Sequence, residues 1–385
     1  MNPAKTYNAI TDWLLIVLFL GFIFIPLLLA VTQPDKIFSE EEKRPLAEFP
    51  KVRSGAGTVV DFARRFDTYY QDHFGLREFF IRRYHREMKK RFDGVGASDV
   101  VVGKDGWLYY SGEGALDDLM GRLRLTGEQL NLLSERVESN RGWLTQQGIR
   151  YLTVVSPNKQ TIYPEFLPDY YQQGKKETRY DQVLQALNTG GKNQIIDIRP
   201  ALLAQKDKKR LYDKTDTHWN YLGAYYGYRE IMKHVVELFP GHDFAGYFNV
   251  GTSWQKEAAG DLAVLSARED TLSETRPMIF AWIRAREKEL NDPLKGILSL
   301  DKLQPHYTTR EDRKLRALVL HDSFMNPMKV FISESFAEVL YIWKYYDEET
   351  MSTLNRENLQ QIIDEFQPDI VLDEIVERHL FWLIL

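Results

Sequence analysis

From Asp99 to Leu385 the chain alternates short apolar, β-branched runs with helical patterns, and this rhythm narrows the fold to a mostly parallel sheet covered by helices. Segments 100–102 and 107–110 read as strands around the turn Gly103-Lys104-Asp105-Gly106. Thr126 and Gln129 form a capping box, after which Leu130, Leu133, Val137 and Leu144 recur at helical spacing until Gly148. Further strands are expected at 151–155, 194–198, 317–320, 339–343 and 369–376, with helices from Tyr221 onward and at 358–366 and a short one opened by Pro200. The stretch 239–315 breaks the rhythm with loops and charges and reads as an inserted, loop-rich region. Asp261, in Gly260-Asp261-Leu262, lies inside it, and the sequence assigns it no role.

The N-terminus imposes a second constraint. Segment 13–31 is an uncharged apolar run, close to the roughly 20 residues that a helix needs to cross a bilayer. It lacks a polar face and ends Leu29-Ala30-Val31-Thr32 without a small-x-small cleavage site, so it is expected to be a retained signal anchor. Lys5 places the tail 1–12 in the cytoplasm and the rest outside, as a single-pass protein. Segment 32–57, rich in proline and charge, reads as a linker to one domain over 58–385, which begins with helices at 59–70 and 76–91. With 44% hydrophobic and 27% charged residues, the chain can bury a full core. A net charge of -5 offers no global basic field, so nucleic acid is not an expected partner. The absence of cysteine excludes disulfides, thiolate metal sites and a cysteine nucleophile.

Two motifs carry chemistry: Asp216-Thr217-His218-Trp219-Asn220, and His321-Asp322-Ser323-Phe324 after the apolar run Ala317-Leu318-Val319-Leu320. A serine hydroxyl needs an imidazole to take its proton and a carboxylate to fix that imidazole's tautomer. If the fold joins the two loops, Ser323, His218 and Asp216 supply a nucleophile, a base and an orienting acid. Structural alternatives stay open: Asp216 can cap the next helix, His218 can be a satisfied buried histidine, and Asp322-Ser323 can open a helix. So does a metal site from His218, His321 and one or two of Asp216 and Asp322. The favoured reading requires neither metal nor cofactor. Asn158 and Lys159 at a strand end, and Asn326 after Ser323, are candidate oxyanion or substrate donors, and Trp219 beside His218 is a candidate aromatic platform for a substrate.

These motifs, together with Val102-Gly103-Lys104-Asp105-Gly106-Trp107-Leu108, Pro157-Asn158-Lys159 and Ile162-Tyr163-Pro164, resemble the alginate O-acetyltransferase family of the AlgJ and AlgX type. The resemblance implies an SGNH-hydrolase-like three-layer α/β/α domain with a circularly permuted catalytic order, Asp and His preceding Ser. It implies a periplasmic enzyme, held at the bacterial inner membrane, that moves acetyl groups onto hydroxyls of an exopolysaccharide such as alginate. Its partners would be a membrane-bound acyltransferase that supplies acetyl, the polysaccharide acceptor and other modification or export proteins. With no carbohydrate-binding module after the catalytic region, the chain is more similar to the membrane-anchored J-type. A secreted acetylesterase with the same three residues, or a noncatalytic scaffold of an export complex, are the alternatives.

Overall fold

The computed structural model describes residues 3–32, 38–39, 44–50, 58–77, 79–80, 83, 99–172, 174, 176–188, 195–244, 251–266, 268–280, 283–298, 305–344 and 354–383. The chain forms two units, Met1–Ser98 and Asp99–Leu385.

In the first unit, α1 (Pro3–Thr32) contains the whole apolar run, and Trp13, Leu15, Phe19, Phe22 and Leu28 are exposed on it. Counted over residues whose side chains are described, no helix is long and apolar enough to cross a membrane; positions 23, 27, 30 and 31 of the apolar run fall outside that set. Helix α2 (Thr58–Asp72) coincides with the helix expected at 59–70. The Asp72 carboxylate accepts from Ala47 N at 2.8 Å, and Phe49 packs edge-on against Tyr69, so 46–50 is fastened along this helix. Most of the expected linker and of the helix at 76–91 lies outside the described residues.

The second unit is built on a seven-stranded sheet. A hairpin of β1 (Val100–Val102) and β2 (Leu108–Tyr110) comes first, then α3 (Gly127–Gln146), which Thr126 and Gln129 cap reciprocally. β3 (Arg150–Ser156), α4 (Arg179–Leu187), β4 (Ile195–Asp197) and α5 (Tyr221–Leu238) follow. A long antiparallel hairpin of β5 (Gly251–Ala258) and β6 (Ser273–Phe280) stands apart from the main sheet. The chain returns through β7 (Arg286–Glu287), β8 (His306–Thr309), β9 (Arg316–His321), β10 (Glu338–Trp343), α6 (Arg356–Phe366) and β11 (Ile370–Val376). The order is β4-β3-β11-β9-β10-β8-β7; the first five strands are parallel, β8 pairs antiparallel with β10, and β7 pairs antiparallel with β8 at the edge.

Side-chain alternation along the strands builds the layers. Ala317 and Val319 of β9 face one core with Leu222, Tyr228 and Val235 of α5, while Leu318 and Leu320 face the other with Leu133 of α3, Val183 of α4 and Ile363 of α6. Both faces of β9 are therefore covered, as the uninterrupted run Ala317-Leu318-Val319-Leu320 requires.

The segment 239–315, expected to be loop-rich, carries the β5–β6 hairpin, short helices at Asp261–Leu265 and Asp292–Ile297, and two strands of the main sheet. Its strands escape the pattern because β5 is almost wholly exposed and β7 and β8 are short and polar, so no apolar alternation marks them.

Candidate active site

Strands β3 and β9 end on the same edge of the parallel sheet, with β11 between them, and loops at that edge can share one crevice. Asp322 closes β9: its Oδ1 accepts from Phe324 N at 2.9 Å and its Oδ2 from Val376 N at 2.7 Å. The carboxylate thus caps the 3-10 turn Ser323–Met328 and fixes it to the end of β11, which sets Ser323 at the first position of the turn.

The loop carrying Asp216 and His218 is secured from several sides. Lys159, at the end of β3, is buried, and its ammonium donates to the carbonyls of Asp213 (3.2 Å), Lys214 (3.1 Å) and Asp216 (2.6 Å). The buried Glu274 of β6 accepts from both N and Oγ1 of Thr215 at 2.9 Å. Asn220 caps α5 through Leu222 N and Gly223 N, and Trp219 Nε1 donates to the Phe324 carbonyl at 2.8 Å.

The two loops consequently meet. Ser323 Oγ lies 2.8 Å from His218 Nε2, and His218 Nδ1 lies 2.8 Å from Asp216 Oδ1. The same Asp216 oxygen accepts from His218 N at 3.0 Å, while Arg276 of β6 reaches Asp216 Oδ2 at 3.3 Å and Asp213 Oδ2 at 3.0 Å. Burial pushes the Asp216 carboxyl up, but the hydrogen bonds and charge of His218, aided by Arg276, outweigh it and hold Asp216 well below the usual carboxylate range. For His218, burial favours the neutral ring, yet Asp216 and then Asp261 overcome this and raise its pKa. Burial lowers Lys159 to about 8 against the pull of Asp216 and Asp261, and raises Asp213 to about 7 against Arg276.

Two expected substrate residues are turned elsewhere. Trp219, at 2% exposure, is not a sugar platform; its ring packs against Tyr212 and Phe324, and its N–H is used on the 3-10 turn. Lys159 is not a surface donor, because its ammonium is enclosed by three carbonyls. Asn158 is buried, with its N–H on Glu377 at 2.8 Å and its Oδ1 accepting from Arg378 at 3.4 Å; Asn326 is exposed on the 3-10 turn. The metal alternative with His321 and Asp322 is not assembled. His321 is buried, its Nδ1 sits on the Asp322 carbonyl, and burial lowers its pKa to about 3, while the Asp322 carboxylate is occupied by backbone N–H groups. Among the described residues, the acids and imidazole gathered closely enough for a shared ion are Asp216, His218 and Asp261.

Sequence reasoning leaves out Glu274, Arg276 and Arg378 and gives Asp261 no role. Arg378, in the segment Glu377–Leu383 after β11, lies over the rings of Tyr110 and Phe324 and is paired with Glu113. Only Asp261, behind a glycine at a turn, carries a local signal; the others sit in strands or segments whose polarity looks like ordinary surface.

The family model for the SGNH hydrolase-like domain of acetyltransferase AlgX matches residues 100–303, more than half of the chain. The chain belongs to this family. Among curated proteins, it is 27% identical over 186 residues to the probable alginate O-acetylase AlgJ of Pseudomonas aeruginosa and 25% identical over 200 residues to that of Pseudomonas syringae pv. tomato. Those alignments cover 46% and 51% of this chain and 44% and 49% of the relatives, so the chain spans about half the length of the curated relatives it matches. The solved structure of Bacillus cereus PatB1 with a sulfonyl adduct superposes with a TM-score of 0.50 at 15% identity, over 74% of this chain and 98% of that one. That likeness concerns the fold of this AlgJ/AlgX-type domain, an α/β architecture around a mixed sheet.

Proposed function

We propose that the protein is a periplasmic O-acetyltransferase that moves acetyl groups onto hydroxyls of an exopolysaccharide, alginate or a similar polymer, through an acetyl-serine. The observation that carries this reading is the continuous line Ser323 Oγ, His218 Nε2, His218 Nδ1, Asp216 Oδ1, with both contacts at 2.8 Å. Asp216 holds the Nδ1 proton, which leaves Nε2 to accept from the hydroxyl.

In the first half-reaction, His218 takes the Ser323 proton while Oγ bonds to the acetyl carbonyl carbon. The bond to the donor's leaving oxygen then breaks, and His218 returns the proton to that oxygen. In the second half, a sugar hydroxyl gives its proton to His218 and attacks the acetyl-serine; the ester bond to Oγ breaks and Oγ recovers a proton. The backbone N–H of Ser323 is the proposed donor to the tetrahedral oxyanion, with Asn158 and Asn326 as further candidates. Both halves need neutral His218, and its neighbours raise its pKa. The rate should therefore climb with pH through a value above that of an ordinary imidazole.

The exposed apolar flank of α1 supports a single-pass inner-membrane anchor with residues 58–385 in the periplasm. A membrane-bound acyltransferase would deliver the acetyl group, and modification or export proteins would present the polymer. Intact-mass analysis of the protein after exposure to an activated acetyl ester tests the chemistry. An adduct of one acetyl group on the wild type and none on Ser323→Ala is expected, with acetylated sugar formed when oligosaccharide is added. An adduct unchanged in the variant would falsify the assignment of the nucleophile, and free acetate without acetylated sugar would make the protein an esterase.

A further inference from the structure

The turn Gly260-Asp261-Leu262 comes from the region between α5 and β6, yet it is fitted against the acid of the proposed catalytic line. A Cβ added to Gly260 would stand 2.5 Å from Asp216 Cβ and 2.6 Å from its Oδ2, so only a glycine lets the turn come this close. Gly260 N donates to Thr215 Oγ1 at 2.9 Å, and Asp261 N points to Asp216 Oδ2 at 3.4 Å. Asp261 begins the short helix Asp261–Leu265, but its Oδ1 turns away to accept from Thr217 N at 2.7 Å and Thr217 Oγ1 at 3.1 Å. Its Oδ2 then stands 3.7 Å from His218 Nδ1, on the side of the ring that Asp216 already occupies.

We infer that Asp261 is a second carboxylate on the base: a positioning residue that braces the Thr217–His218 backbone and shares with Asp216 the positive charge His218 gains on taking the serine proton. The inference rests on the acetyl-serine reading above. Nδ1–H can be given fully to one acceptor, and the 2.8 Å contact assigns it to Asp216; Asp261 acts through its charge and through Thr217. Other charged or titratable groups face this centre from each side. Arg276 of β6 and the buried Lys159 sit on Asp216, Arg378 approaches the ring from the C-terminal segment, and the Tyr110 phenol lies on the Asp261 side. Arg378 opposes the positive ring, so Asp261 also offsets a cation that would otherwise weaken the base.

The test is the pH profile of kcat/KM for p-nitrophenyl acetate turnover by the full chain, in wild type, Asp261→Asn, Asp261→Glu and Ser323→Ala. The amide oxygen of Asp261→Asn can still accept from Thr217, so the turn is kept while the charge is lost. A fall of roughly tenfold is expected, a fraction of the 10²–10⁴ that a positioned base supplies. The acid limb should move to lower pH, because removing an anion lowers the pKa of the base, and Asp261→Glu should return the limb toward the wild type. An acid limb that stays at the wild-type pH in Asp261→Asn overturns the inference, whatever the loss in rate. Asp261→Ser, which keeps a hydroxyl acceptor for Thr217, gives the same reading if the Asn variant does not fold. Wild-type turnover by Ser323→Ala would instead overturn the acetyl-serine reading itself, and with it any role for Asp261 in tuning the base.

Discussion

The Lys159 ammonium lies against the backbone of Asp216, donating to its carbonyl at 2.6 Å while also holding the carbonyls of Asp213 and Lys214. A cation at the end of β3 thereby shapes the loop that orients His218. Burial lowers its pKa to about 8, and three carbonyls compensate part of that cost.

Lys159→Met should therefore act through structure. The carbonyls of Asp213 and Asp216 lose this donor while that of Lys214 keeps Leu108 N at 2.8 Å, so at about 1–3 kcal/mol for each unsatisfied group before relaxation a net destabilisation of about 2–4 kcal/mol is expected in urea titration. Because the loop also sets the His218–Ser323 contact, turnover should fall about 100-fold. Loss of turnover with unchanged stability would instead favour a direct role on substrate.

Trp219→Phe separates the packing role of this ring from the sugar-stacking role that its place beside His218 suggests. The variant keeps an aromatic face in the core but loses the N–H that holds the Phe324 carbonyl at 2.8 Å. A stability loss of about 1–2 kcal/mol is expected. In steady-state kinetics with a sugar acceptor, kcat should fall and the acceptor KM should stay within about twofold; a large rise in KM would restore the stacking role.

Gly260→Ala tests the closeness of the turn to Asp216. Gly260 has φ -77° and ψ -173°, a backbone conformation alanine adopts freely, so strain at the residue itself is not the issue. The added methyl would meet Asp216 Cβ, Oδ2 and Cα at 2.5, 2.6 and 2.7 Å. Either the turn or the acid must move. A destabilisation of about 1–3 kcal/mol is expected, with turnover reduced about tenfold or more because the displaced group holds His218. Thermal melts and kcat/KM check the two effects separately.

The sheet was legible because buried parallel strands leave continuous apolar runs: 317–320 and 369–376 match β9 and β11 within two residues. Ser323, His218 and Asp216 were legible for a different reason: they pair reactive residue types with a strand end and a polar loop, and the folded chain gathers all three. What surrounds them was hidden. Arg276 and Glu274 lie 60 and 59 residues from Asp216 and Thr215, on a hairpin strand that no apolar alternation marks. Trp219 and Lys159 were correctly noticed and wrongly directed, since position beside a reactive residue does not determine which way a side chain turns. Burial decides that, and burial is a property of the packed layers.

Glu377, which follows β11, predicts a pH signature that is independent of catalysis. Burial raises its carboxyl against hydrogen bonds from Thr161 Oγ1 and Asn158 N, and the balance leaves it at about 7 rather than 4.5. Between these values the folded protein holds a proton that the unfolded chain has released, so this group's contribution to stability declines as pH rises from about 4.5 to about 7 and then stays constant. Two and a half pH units correspond to about 3 kcal/mol, an order-of-magnitude figure. Glu377→Gln does not titrate, and its carbonyl oxygen can still accept from Asn158 and Thr161. The variant's unfolding free energy should therefore gain on the wild type by about 2–3 kcal/mol between pH 5 and pH 8, since the remaining carboxylates, Asp213 among them, cancel in the difference. Urea titrations of both proteins at the two pH values measure it, and a difference independent of pH would mean that Glu377 ionises at its ordinary value.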